Sequence, residues 1–314
     1  MNIDQKDRFF YLLSVAAVLL FVMNGCAFFG NPISDNSGAT LKQQALRLYN
    51  NQKYERAAKA WSSYIQEHPD KITGYYNRGL CYSKLGKSIQ AQKDYKKALQ
   101  IRPDYIPALI NNGILLAGMQ EYQMSLQNLK HALELEPKNP SIAFNTAYVL
   151  QQKGDYKEAI KYYGRAISAK SDFTKAYNNR GITCLKLGKY KSAIDDFTKA
   201  IHLSGGKTNY YFNRARAREG LGRTDRAISD YTRAIEYETG LMAAYYNRGL
   251  LRIEQGATKL GCRDLAEACS QGICSKYRSL QEQGICSRDN QTSIKSNQSS
   301  PETTFDRYSS PKLE

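Results

Sequence analysis

The chain has 314 residues, 42% of them hydrophobic and 24% charged, with a formal net charge of +16. That apolar content excludes a wholly disordered chain, and the length excludes a mini-protein that needs staples for want of a core. The excess positive charge lies between residues 26 and 286, because 1–25 and 287–314 each carry equal numbers of acids and bases; it favours an anionic partner or surface.

At the N-terminus a short charged start, MNIDQKDR, precedes the apolar run FFYLLSVAAVLLFVM at 9–23. A run of that length suits a signal-peptide core and is short for a spanning helix. Met23-Asn24-Gly25-Cys26 follows directly, placing a small residue before a cysteine. This resembles the lipobox of bacterial lipoproteins, with Met23 in place of the usual Leu and Asn24 in place of a small residue. The resemblance implies removal of 1–25 and lipidation of Cys26 as the first mature residue. Counting on through Ala27, Phe28 and Phe29 lengthens the segment enough for an uncleaved anchor, which is the alternative. Either reading puts most of the chain outside the cytoplasm, membrane-attached in the cell envelope and facing the periplasm or the exterior. Residues 26–37 read as a linker.

Beyond the linker the sequence repeats itself. Tyr-Tyr-Asn-Arg-Gly-Leu occupies 75–80 and returns at 245–250, a spacing of five periods of 34. Units begin at 38, 72, 106, 140, 174, 208 and 242, without insertion or deletion. Position 8 is always small (Ala45, Gly79, Gly113, Ala147, Gly181, Ala215, Gly249), and position 24 is always bulky (Trp61, Tyr95, Leu129, Tyr163, Phe197, Tyr231, Leu265). Small residues at position 8, and mostly at 20 and 27, let two helices approach closely while the bulky side chain fills the remaining space. Position 15 is glycine in five units, suiting a left-handed helix end. Pro69, Pro103 and Pro137 stand at position 32, where a helix must stop. Each unit is therefore expected to be helix–turn–helix.

This pattern resembles the tetratricopeptide repeat (TPR), over about 38–275. The resemblance implies an all-α, right-handed solenoid of seven units, with a capping helix over 276–286. It also implies a non-enzymatic protein-interaction scaffold that holds an extended peptide or protein in a concave groove lined by first helices. No phosphate loop, metal-ligand spacing or nucleophile motif is present, so neither catalysis nor a cofactor is expected, and export argues against nucleic acid. The alternative is a passive spacer of the envelope, held by an uncleaved N-terminal helix.

Within the array, position 6 is Asn77, Asn111, Asn145, Asn179, Asn213 and Asn247. A carboxamide carries donors and an acceptor, so such a ladder can bond a peptide backbone in either direction, as in some TPR proteins. Beside it, Tyr76, Phe144, Phe212 and Tyr246 at position 5, with Ile110 among them, are candidate side-chain pockets, the alternative for some of them being packing against neighbouring units. Arginine at position 7 (Arg78, Arg180, Arg214, Arg248) coincides with aspartate at position 23 (Asp94, Asp196, Asp230, Asp264). That coincidence predicts an ion pair between the two helices of one unit, with a structural role.

Six cysteines follow Cys26, four of them at 262, 269, 274 and 286. Their spacing does not suit zinc, and in an exported chain clustered cysteines read as disulfides. Positions 21 and 28 of the seventh unit face the next helix in the repeat register, and that helix should run antiparallel from about Cys274 to Gln283. The register therefore joins Cys269 to Cys274 near the turn and Cys262 to Cys286 at the far end, the alternative being six reduced core thiols. Cys81 and Cys184 are expected to stay buried thiols. Residues 287–314, rich in Ser, Thr, Asn and Gln, read as a disordered tail.

Overall fold

A computed structural model describes residues 39–286; the lipobox segment with Cys26 and the tail 287–314 lie outside the described residues. Those described form fifteen helices and no strand. Six first helices each pair with the second helix that follows: α1 (Ala39–Asn50) with α2 (Tyr54–Glu67), α3 (Ile72–Lys84) with α4 (Ser88–Ile101), α5 (Ile106–Gly118) with α6 (Tyr122–Leu135), α7 (Pro140–Lys153) with α8 (Tyr156–Ala169), α9 (Thr174–Lys186) with α10 (Tyr190–Ser204), and α13 (Met242–Glu254) with α14 (Thr258–Ser270). Between the last two pairs lie α11 (Thr208–Gly220) and α12 (Thr224–Tyr237), and α15 (Ser275–Glu282) closes the series. The described residues divide into two bodies, one up to Ala227 and one from Ile228, with the boundary inside α12. In the first body each second helix from α2 to α10 also contacts the next first helix, so the hairpins stack in sequence.

The small-and-large pattern explains the pairing. A Cβ on Gly79 would come within 2.7 Å of the Tyr95 ring, and one on Gly181 within 2.8 Å of the Phe197 ring. The position-24 side chains Trp61, Tyr95, Leu129, Tyr163 and Phe197 are fully buried by this approach, worth about 2–3 kcal/mol each. A tyrosine there needs a partner for its hydroxyl, and position 12 of the same repeat supplies it. Ser83 Oγ lies 2.9 Å from Tyr95 Oη, and Tyr163 donates to Gln151 Oε1 at 2.8 Å. Where position 24 is Phe197 or Leu129, position 12 is Leu185 or Ala117. The two positions match in polarity because an unpaired buried hydroxyl is costly.

The turns obey the backbone more than the side chain. Gly154 ends α7 in the left-handed region at φ 93°. In the first and third repeats Gln52 and Gln120 take the same region at φ 59° and 63°, so this turn forms without glycine at some cost. Asn139 caps α7 by accepting from Ser141 N and Ile142 N, with Pro140 opening the helix.

In the second body α13, α14 and α15 surround a core of Tyr246, Leu250, Leu265 and Leu280. Cys262 is bonded to Cys286 and Cys269 to Cys274, with Cα separations of 5.4 and 4.1 Å. The capping helix spans Ser275–Glu282, slightly shorter than 276–286 implies at its C-terminal end, because Gly284 turns the chain at φ 72°.

Candidate functional site

The asparagine ladder is uneven. Asn77, Asn111 and Asn145 are buried, whereas Asn179 and Asn213 in the first body and Asn247 in the second are half-buried. Asn111 shows how burial arises: it donates to Tyr76 Oη of the preceding repeat at 3.1 Å. The Tyr76 and Tyr105 rings meet edge-on at 5.2 Å, and the Tyr105 hydroxyl and Asn111 Oδ1 are buried without hydrogen-bond partners. Burial pushes the Tyr105 phenol up to about 12 and holds Tyr76 well above its ordinary value. Both therefore remain neutral donors and acceptors. Asn179 accepts from Asn178 at 3.3 Å, and Asn247 donates to Tyr231 Oη at 3.2 Å.

The position-5 side chains lie in the core. Tyr76, Ile110, Phe144, Phe212 and Tyr246 are all buried, and Phe144 packs against Tyr163 and Phe173. They are not open pockets in this structure, because an aromatic ring at the junction of successive repeats gains more from packing than from water.

A second constellation surrounds the position-7 arginines. Arg78 grips Asp94 through Nε and Nη2 at 2.8 and 2.7 Å. Arg180 grips Asp196, and in the second body Arg248 grips Asp264, in the same way. Burial lifts the Asp94 carboxyl, while its hydrogen bonds hold the Arg78 guanidinium above its usual value. Each guanidinium also lies over the tyrosine three residues before it: Tyr75, Tyr177, Tyr211 and Tyr245, at 5.5 to 5.9 Å.

A further bond crosses from one repeat to the next. The remaining nitrogen, Nη1, donates to a hydroxyl at position 25 of the preceding repeat: Arg78 to Ser62, Arg214 to Thr198, and Arg248 to Thr232. One arginine thus ties two helices of its own repeat and the repeat before it. Arg180 meets Gly164 instead, where a Cβ would stand 3.7 Å from Nη1. The signal lay in the sequence, sixteen residues upstream.

Cys81 and Cys184 are free and buried, and burial pushes their thiols up to about 12 and 11, which suppresses thiolate chemistry. Among the described residues no three His, Cys, Asp or Glu side chains gather to hold a metal ion.

Tetratricopeptide-repeat family models match residues 72–105, 128–161, 174–205 and 208–239. Over these segments the chain is similar to tetratricopeptide repeats. Three of these segments begin where the sequence period places a repeat start; the match at 128 begins inside α6. Among solved structures, the C-terminal part of a TPR protein from Cytophaga hutchinsonii is similar at 18% identity and TM-score 0.66, covering 76% of this chain and 98% of that one. PilW, a type IV pilus biogenesis factor, is similar at 19% identity and TM-score 0.57, covering 65% and 94%. YrrB, a TPR protein with an unusual peptide-binding site, is similar at 20% identity and TM-score 0.54, covering 61% and 98%. At these identities the likeness establishes the fold alone. No curated protein matches the sequence.

Proposed function

We propose that the protein is a non-enzymatic scaffold of a bacterial cell envelope, anchored by a lipid on Cys26, that holds an extended segment of a partner against its first helices. The observation that carries the binding reading is the change along the ladder. The amides of the second to fourth repeats are buried, whereas Asn179 and Asn213 are partly exposed on successive first helices, α9 and α11. Two partly exposed carboxamides one repeat apart suit the donors and acceptors of an extended backbone. PilW, a type IV pilus biogenesis factor, and YrrB, a TPR protein with an unusual peptide-binding site, support this use of the fold.

The disulfides between Cys262 and Cys286 and between Cys269 and Cys274 support an oxidising compartment, as does the lipobox-like sequence before Cys26. The net charge of +16 supports a partner with acidic character.

The test is capture from a detergent-solubilised envelope, comparing the full chain with Asn179→Ala/Asn213→Ala. Loss of the captured partner from the variant, at unchanged helical content, is expected; equal capture would remove the ladder from the binding face. Cys26→Ser should release the protein from membranes or leave an unprocessed precursor. Normal processing with full membrane retention would instead favour the uncleaved anchor.

A further inference from the structure

The third repeat breaks the arginine pattern, and a cavity stands in its place. Its position 7 is Asn112 rather than arginine, and its position 23 is Asn128 rather than aspartate. The residue at position 25 of the preceding repeat is Lys96, where the arginine-bearing repeats meet Ser62, Thr198 or Thr232. All three changes belong together. A lysine facing a position-7 arginine would be repelled, and an aspartate without the arginine would be a buried, unpaired acid. The fourth repeat handles the loss differently: the Tyr162 ring occupies position 23 and packs, partly buried, against the core.

In the third repeat nothing of comparable size replaces the guanidinium. A cavity of about 360 Å³ opens between α4 and α6, within the size range of small-ligand clefts. Lys96 and Asn128 stand at its sides, Leu99 and Met124 supply apolar surface, and Asn112 and Leu116 form its buried wall. Asn112 is only 3% exposed, and its carboxamide oxygen has no hydrogen-bond partner. No carboxylate lines the cavity.

We propose that this cavity is a socket for an acidic side chain, a glutamate carried by a partner protein. The chemistry of the lining selects it. Lys96 offers an ammonium, the Asn112 carboxamide nitrogen offers its N–H groups, and Asn128 Nδ2, which donates one N–H to Met124 O at 3.1 Å, keeps a second for a ligand. The methylenes of a glutamate lie against Leu99, Leu116 and Met124. A guanidinium or ammonium would meet Lys96 with no carboxylate to offset it. The socket is lined by the second helices α4 and α6 and by Asn112 and Leu116 of α5, and it includes neither Asn179 nor Asn213, so it does not rest on the ladder reading and either can fail alone.

The probe is the blocked tripeptide Ac-Gly-Glu-Gly-NH2, titrated into methyl-labelled full-length protein while the Leu116 and Met124 methyl resonances are followed by NMR. Ac-Gly-Gln-Gly-NH2 is the neutral control. Saturable shifts are expected with the glutamate peptide, at an affinity roughly five-fold or more above the glutamine peptide. Lys96→Gln should abolish that preference. The triple variant Lys96→Thr/Asn112→Arg/Asn128→Asp should fill the socket as the second repeat is filled, melt cooperatively, and lose the shifts. Equal affinity for both peptides, no shift with the glutamate peptide, or a preference that survives Lys96→Gln would overturn the proposal. Retained binding in the folded triple variant would overturn it too.

Discussion

The second and seventh repeats use the same tyrosine–arginine–aspartate device and differ in what backs it. In the second, Asp94 is held by Arg78 through two hydrogen bonds. In the seventh, Asp264 is held by Arg248 in the same way and by Arg252 at 2.7 Å as well. The seventh repeat also carries both disulfides. A repeat flanked by others borrows stability from each neighbour, whereas one near the end of an array has fewer neighbours and needs its own reinforcement.

The largest expected effect breaks the less protected copy. Arg78→Ala leaves Asp94 buried without its cation, and the cost should be about 3–5 kcal/mol at neutral pH, read by chemical denaturation. The pH dependence has a definite sign. Burial already lifts Asp94, and removing Arg78 lifts it further, so its folded pKa lies above its unfolded one. The contribution of this group is then most favourable below the unfolded carboxylate pKa, about 4, and is lost as pH rises through the folded value. The variant should therefore approach the parent protein in acid and fall away from it at neutral pH.

Next comes the long disulfide. Cys262→Ser/Cys286→Ser opens a loop with a sequence separation of 24 and should cost the second body about 3 kcal/mol. Reducing agent should bring the unsubstituted protein toward the variant. Arg248→Ala should cost less than Arg78→Ala, roughly 2 kcal/mol, because Arg252 still holds Asp264. Equal losses for the two arginine variants would show that the second cation gives no protection. The smallest effect adds a missing part. Gly164→Ser supplies the hydroxyl that Arg180 lacks and removes a helix-interior glycine, so it should raise stability by about 1 kcal/mol.

These contrasts also show what could be read in advance. The helix–turn–helix period and the Arg–Asp pairing were legible because the chain compares itself with itself at fixed spacing. The hydroxyl partners Ser62, Thr198 and Thr232 were missed because that comparison stayed within one repeat, while the bonds cross to the next. The depth of Asn77, Asn111 and Asn145, and of the position-5 rings, was not legible either. It depends on how closely successive hairpins nest, as in the Asn111–Tyr76 bond across 35 residues, and the repeat pattern specifies faces more readily than depth. The left-handed Gln52 and Gln120 are the reverse case, where the turn persists without its usual residue.

The central claim is that partly exposed first-helix amides hold the partner. Hydrogen exchange of the full chain, with and without the captured partner, tests it most directly. Slowed exchange in α9 and α11, around Asn179 and Asn213, is the predicted result. A complex that leaves both helices exchanging at their free rates would contradict it.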